Sequence, residues 1–210
     1  MHDKVSIVIP TYNSMKYIDE TIQSCVSQTH QNIEIIIIDD CSADGTRRYL
    51  QTLDNVVYIE NKQNEGISKN VNKGVKISTG KYVIILGHDD ILPNFHIEKM
   101  LDSFDDDTGL VHCNSIKINP LGDIISLSRK TGVQVRKSKH ALKELIKSNY
   151  IQSCGLMFRK ETFLSFGGWD ERYRLYGEWL SYVKFAACSK IEYNSKTFGF
   201  HLSTLMNLPF

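Results

Sequence analysis

Two segments near the start of the chain are almost wholly apolar and β-branched: Val5 to Ile9 (VSIVI) and Ile33 to Asp39 (IEIIIID). Runs of this kind belong to strands covered by helices on both faces, which leaves no solvent face to alternate with. Between them Ile18, Ile22, Cys25 and Val26 recur at helical spacing, so the opening predicts a strand, a helix and a second, parallel strand. The alternation continues. A helix opens near Asp44, whose carboxylate suits an N-cap; a strand Val56 to Glu60, a helix Ile67 to Ile77, a strand Tyr82 to Leu86 and a helix beginning at Pro93 follow. Repeated βα units predict a mostly parallel sheet with helices on both faces.

The second half has a different rhythm. Gly109 to Asn119 reads as a strand, Pro120-Leu121-Gly122-Asp123 as a turn and Ile124 as the start of a returning strand, so a hairpin makes the sheet mixed. Beyond it the pattern predicts a helix Lys139 to Ser148, a strand Gly155 to Phe158, a turn at Gly167-Gly168, a helix starting near Glu178 and two short strands ending around His201. No Pro-, Gly- or Ser-rich linker divides the 210 residues, so the expectation is one α/β domain.

Composition removes several classes. Apolar residues make up 41% and charged residues 23%, which excludes a disordered or fibrous chain. With 25 Lys+Arg against 24 Asp+Glu the net charge is +1, so no field gathers polyanions and no nucleic acid partner is expected. The five cysteines are scattered without a CxxC pair, which indicates neither a disulfide framework nor a zinc knuckle and suits a reduced, cytoplasmic protein. Met1-His2-Asp3-Lys4 leads straight into the first strand with no export leader, and no run of 18 apolar residues spans a membrane; peripheral association with the inner face of a membrane stays open. Asp105-Asp106-Asp107 reads as a solvated acidic turn.

In open α/β sheets the ligand lies outside the carboxyl ends of the strands. Those ends are polar here: Pro10, Thr11, Tyr12 and Asn13 after the first strand, Asp39, Asp40, Cys41 and Ser42 after the second, and Gly87, His88, Asp89 and Asp90 after the fourth. Two carboxylate pairs at one edge repel each other unless a cation or hydrogen-bond donors neutralise them, which points to a divalent metal. Each pair alone also fits a helix-capping turn.

Taken together and in this order, the motifs resemble those of the family 2 glycosyltransferases, inverting enzymes with the GT-A fold, a Rossmann-like mixed central sheet flanked by helices. Val5 through Asn13 looks like that family's first strand and nucleotide loop, and Asp39-Asp40-Cys41-Ser42-Ala43-Asp44-Gly45-Thr46 is similar to its DDxSxDGT stretch. Asn64 through Asn70 resembles the NxGxxxARN segment, with Lys69 where Arg is usual. Gly80 through Asp90 resembles the strand leading into the metal-binding DxD motif, with Gly87 in place of its first acid. Gly167-Gly168-Trp169-Asp170-Glu171 resembles the GGFDE acceptor loop. Tyr176-Gly177-Glu178-Trp179 stands where the family has its ED-W motif, with Gly177 and Glu178 replacing the two acids. Phe198 through Ser203 resembles a late strand ending in His and Ser.

The resemblance implies a division of labour. Residues 1–104 would form the nucleotide-sugar half and 105–210 the acceptor half of a single domain. Pro10, Thr11, Tyr12, Asn13, Asp40, Lys69 and Asp89 would bind the donor, and Asp90 with His201 would hold Mn²⁺ or Mg²⁺. Glu178 would be the catalytic base, Trp169, Asp170 and Glu171 would meet the acceptor, and the last two are reserve bases. The activity implied is metal-dependent inverting transfer from a nucleotide diphosphate sugar, by default a UDP-sugar, to a saccharide or lipid-linked acceptor in surface polysaccharide synthesis. The alternatives are a degenerate GT-A scaffold and a receiver-like doubly wound module with Asp39-Asp40 as its acidic pocket; a nucleotidyltransferase would want a Gly-rich basic first loop. Donor sugar, acceptor, linkage, oligomeric state and whether the chain is complete at Phe210 are not legible.

Overall fold

The computed structural model describes residues 3–127, 138–173 and 176–203. Its strands are β1 (Val5–Thr11), β2 (Ile33–Asp39), β3 (Val57–Glu60), β4 (Tyr82–Ile85), β5 (Asp90–Ile91), β6 (Thr108–Ile118), β7 (Ile124–Leu127), β8 (Met157–Arg159) and β9 (Lys190–Leu202). Its helices are α1 (Ile18–Val26), α2 (Thr46–Leu50), α3 (Ile67–Ile77), α4 (His96–Leu101), α5 (Ser138–Lys147), α6 (Lys160–Ser165) and α7 (Tyr176–Cys188).

The nine strands form one sheet in the order β3-β2-β1-β4-β8-β6-β9-β5, with β7 paired to β6 alongside. The first four are parallel, as the βα rhythm predicts. β8 then runs antiparallel to both β4 and β6, β9 runs parallel to β6, and β5 antiparallel to β9. Every residue of β1 is buried, because the pleat sends its side chains alternately into two cores. Ile7, Ile9, Ile35 and Ile37 meet Ile18, Ile22 and Cys25 of α1 and Ile97 and Met100 of α4 on one face. Val8, Ile36 and Ile38 meet Val71 and Val75 of α3, Leu145 of α5, Phe163 of α6 and Phe185 of α7 on the other. Ring packing thickens that second core: Phe158 stacks on Phe163 at 4.9 Å, and Phe166 meets Phe185 edge-on at 4.9 Å.

The structure departs from the pattern in five places. The helix near Asp44 is five residues long and its N-cap is Gly45 at φ 104°; the Asp44 carboxylate instead accepts from the N–H of Thr46 (3.1 Å) and of Met15 (3.0 Å). The helix expected from Pro93 begins at His96. α6 and the two-residue β5 were not expected, and the two short terminal strands are one strand, β9, interrupted by a bulge: Tyr193 pairs with His112 and Phe198 with Asn114. Four residues of β9 thus bulge opposite one of β6, and two of them tie down α4, Asn194 through its Nδ2 donating to Lys99 O (2.6 Å) and Thr197 through His96 Nδ1 (2.9 Å). Among the described residues no helix is long and apolar enough to cross a membrane.

Candidate active site

The ends of β1 and β2 come together in register, Thr11 beside Asp39, and the next residues line the edge where the parallel strands finish. The two adjacent acids there do different work. Asp39 accepts from the N–H and Oγ of Ser42 and from the Tyr58 hydroxyl (3.1 Å), which closes the turn into α2. Asp40, 3% exposed, takes Asn61 Nδ2 (2.9 Å) and Glu65 N–H (2.8 Å) on Oδ1 and Gly66 N–H (2.9 Å) on Oδ2. Burial pushes the Asp40 carboxyl up, but these donors outweigh it and hold it below the usual carboxylate range.

A cavity of about 150 Å³ opens over this network, lined by Pro10, Thr11, Tyr12, Asp40, Ile67, Asn70 and His88. Four of the seven residues expected to bind a donor therefore meet here; Asn13, Lys69 and Asp89 do not line this cavity. Asn13, at φ 48°, spends its side chain on the Ala43 N–H (2.8 Å) and its own N–H on Ser42 Oγ (2.9 Å), so it shapes the loop. Lys69 is exposed and lines a separate groove of about 420 Å³ with Asn64, Glu65, Gly66 and Glu171. The cation tied to the Asp40 network is instead Lys73, whose Nζ donates to Asn61 Oδ1 and to Glu65 Oε2 (3.2 Å). Asn61 was missed although it directly follows β3, where the same strand-end rule applies; its Nδ2 also reaches Asn70 Oδ1 (2.6 Å).

The second acidic pair sits where β5 joins the sheet. Pairing of β5 with β9 sets Asp90 opposite His201, and His201 Nδ1 donates to Asp90 Oδ1 at 2.9 Å. That bond to Asp90 pushes the imidazole up from its ordinary value, against burial. Asp89 is pushed up too, by burial first, with His88 opposing. Gly87 explains its own place: a Cβ there would lie 2.9 Å from Asp90 Oδ2 and 3.1 Å from Asp89 Oδ1, so both carboxylates close over the bare backbone. An acid at position 87 would displace them. Two carboxylate oxygens converging on one spot, with an imidazole behind, suit a hard divalent cation. Among the described residues no group of three or more His, Cys, Asp or Glu forms a cage by itself. The donor set thus fits an ion that a few carboxylates share with phosphate oxygens and water.

The third part is residues 167–178. Gly168 adopts φ 75° against Asn72 of α3. Trp169 is 5% exposed and packs in the core with Phe163 and Tyr182, which corrects the expectation of an open indole face: its apolar area is already covered. Asp170 is held by Arg172 through Nε (2.9 Å) and Nη2 (2.7 Å), which drops its carboxyl to about 2, too weakly basic for the reserve role expected of it. Glu171 is exposed in the groove beside Lys69.

Glu178 stands in the first turn of α7, against Ile85, Leu156, Phe163 and Trp169. Burial pushes its carboxyl up, the Tyr182 hydroxyl donating to Oε1 (2.7 Å) opposes that, and the charge of Asp90 pushes it further up. This is not the environment of a surface acid favouring a helix dipole: apolar walls and a like charge are how a carboxylate is tuned toward proton transfer. Its contact with Ile85 places the start of α7 beside the end of β4, the strand that leads into the β5 turn.

Three kinds of relative are found for this arrangement. A family model described as glycosyl transferase family 2 matches residues 6–165. An uncharacterised glycosyltransferase of Rickettsia prowazekii is 31% identical over 90% of this chain and 61% of its own length. The Bacillus subtilis glycosyltransferase TuaG, named for teichuronic acid biosynthesis, is 39% identical over 47% of this chain and 40% of its own length. The chain thus spans 61% or less of these curated relatives. Two solved structures share the fold: S. aureus TarS with UDP-GlcNAc (TM-score 0.78, 19% identity, 96% of this chain, 59% of that one) and a Pyrobaculum calidifontis mannosyltransferase with GDP-Man and Mn²⁺ (TM-score 0.74, 17% identity, 99% and 59%). The mixed sheet flanked by helices that was expected of a GT-A fold is the architecture shared with them.

Proposed function

The chain belongs to glycosyl transferase family 2, and from that premise we propose that it moves a sugar from a nucleoside diphosphate, by preference UDP, to a hydroxyl of a saccharide or lipid-linked acceptor with inversion. The observation that carries this reading is that the Asp40 cavity reaches His88, next to the Asp89-Asp90 pair, while the half-buried Glu178 lies against Ile85 at the end of the same strand β4. The UDP-GlcNAc bound by TarS supports the donor class, and the name of TuaG supports a role in surface polysaccharide synthesis.

The residues divide the work as follows. Tyr12, Thr11 and Asp40 enclose the nucleobase, with Asn61 and Asn70 fixing the Asp40 carboxylate, and Asp89 takes the ribose. Asp90, with His201 bonded behind it, would hold a Mg²⁺ or Mn²⁺ ion, which would supply charge neutralisation for the departing diphosphate. Glu178 accepts the acceptor's hydroxyl proton on its free oxygen while Tyr182 holds the other. As the acceptor's hydroxyl oxygen, its proton passing to Glu178, bonds to the anomeric carbon from one face, the bond to the diphosphate breaks on the opposite face and its electron pair leaves with the phosphate. Inversion follows from this single displacement. Glu171 and Lys69, in the groove beside the cavity, meet the acceptor. A lipid-linked acceptor would bring the domain to the inner face of a membrane.

Glu178→Gln tests the assignment. Transfer from a UDP-sugar should fall by about 10² to 10⁴ while UDP affinity is kept. Because the Glu178 carboxyl is pushed above its ordinary 4.5, activity in the parent chain should fail as pH drops through a value above 4.5, the base becoming protonated. Retained turnover in Glu178→Gln would remove the base role.

A further inference from the structure

Helix α3 touches both ends of the candidate site. Just before its first turn, the N–H groups of Glu65 and Gly66 bind Asp40, and in its first turn Asn70 receives Asn61. Two residues on, Asn72 bonds both backbone groups of a single residue 97 positions away. Its Nδ2 donates to Trp169 O at 2.8 Å, and the Trp169 N–H donates to its Oδ1 at 2.9 Å. Nδ2 also lies 3.4 Å from Glu171 Oε1. Only a primary amide supplies one donor and one acceptor at that separation; a carboxylate would set an oxygen against the Trp169 carbonyl, and an aliphatic chain would leave two backbone groups unpaired.

The clasped loop is in turn the seat of α7. A Cβ on Gly177 would lie 2.8 Å from the carbonyl of Asp170 and 3.5 Å from Ser68 Oγ, so the first turn of α7 is pressed against the loop with α3 close behind. Gly168 allows the same closeness on the other side, where a Cβ would fall 2.5 Å from Asn72 Oδ1. Glu178 is the next residue after Gly177, and it has one methylene more than the Asp that the resemblance expects, hence one more torsion to fix. Tyr182 fixes one carboxylate oxygen, Ser181 Oγ donates to the Glu178 carbonyl, and the first turn of α7 beneath them is seated on this stack.

We propose that Asn72 is a positioning residue: by clasping residue 169 it sets the loop under the first turn of α7 and so holds Glu178 at its working distance from the donor cavity. The inference rests on the transferase reading for its kinetic consequence but not for its structural one. Asn72 touches no reacting atom in this account. A donor seated over Asp40 leans on the N-terminal end of α3, so donor and base are referred to one rigid helix.

Asn72→Asp is the informative variant, since it keeps shape and the acceptor for the Trp169 N–H but turns a charged oxygen to the Trp169 carbonyl and Glu171 in place of the donor; Asn72→Ala, which adds no charge, is measured beside it. With UDP and Mn²⁺, calorimetry should show affinity changed by less than about twofold, while kcat for transfer falls by about 10- to 100-fold, the size a small misplacement of a reacting group produces. The acid limb of the pH–rate profile should shift as well, because the surroundings of Glu178 change. Hydrogen exchange read on a peptide covering residues 176–182 should speed up in both variants, with β1 and β2 unchanged, and this readout needs no substrate. Unchanged exchange in that peptide would overturn the proposal whatever the activity. A parallel loss of UDP affinity and kcat would also overturn it, by making Asn72 a general support of the fold. If exchange responds as expected but the parent chain neither binds UDP nor turns over, the transferase reading fails while the clasp stands.

Discussion

Carboxylates are used in three distinct ways in this chain, and burial alone does not tell them apart. Glu34 is a staple: Lys4 Nζ (3.0 Å) and Thr79 Oγ1 (2.9 Å) donate to Oε2, and Ser6 Oγ, Thr79 N–H (2.6 Å) and Gly80 N–H (3.1 Å) to Oε1, tying β1, β2 and the turn before β4 together. Burial pushes Glu34 up, yet those donors win and hold it at about 2. Asp40 is held down in the same manner but faces a cavity. Glu178 is pushed up, with one hydrogen bond and a like charge nearby.

The Glu34 case gives a pH prediction with a definite sign. Its folded value lies below the ordinary 4.5, so between 4.5 and about 2 the unfolded chain takes up a proton that the folded chain refuses. The stability it contributes is complete above 4.5 and is lost as pH falls through that window. Urea unfolding at stepped pH should show the parent chain losing stability faster than Glu34→Gln below pH 4.5; equal slopes would contradict the staple. The acids at 39, 40, 89 and 90 were legible as strand-end pairs. Which of them closes a turn and which faces a cavity was not, because that depends on Tyr58, Asn61 and His201, partners that only the fold supplies.

At the scale of elements, legibility followed burial pattern. β1 and β2 stood out because helices cover both their faces and nearly every position is apolar. β9 read as two strands because its bulge carries four polar residues, Asn194, Ser195, Lys196 and Thr197, of which the first and last serve α4 rather than the ladder. β5 is too short to show a period, and α6 buries one side chain only, Phe163. That one residue nevertheless matters. It is 1% exposed, stacks on Phe158 at 4.9 Å and neighbours Phe166 and Phe185, so Phe163→Ala should cost about 3–5 kcal/mol in denaturant unfolding. A loss under about 1 kcal/mol would mean the site collapses without harm and that α6 is not part of the core. The motif reading of α3 slipped for a related reason. Lys69 matched a pattern by type, whereas helical geometry turns it outward and turns Asn70, Asn72 and Lys73 to the partners that position the site.

Over the whole molecule, the site is a product of long-range pairing. β8 bridges β4 and β6, which joins the parallel half to the mixed half in one sheet, and β9 then carries His201 to Asp90 across 111 positions. The order of motifs along the chain foretold this convergence; the distances within it could not be read before folding. The proposed transfer requires the Asp40 cavity and the Asp89-Asp90 turn to form one metal-assisted site for a nucleoside diphosphate. Calorimetric titration of the purified chain with UDP, GDP, CDP and dTDP, each with and without Mn²⁺, beside Asp40→Ala and Asp90→Asn, tests it most directly. The parent chain should bind UDP in a metal-dependent way, with Asp40→Ala weakening binding even without metal and Asp90→Asn removing the metal dependence. Binding of none of the four, or UDP binding indifferent to both substitutions, would contradict it.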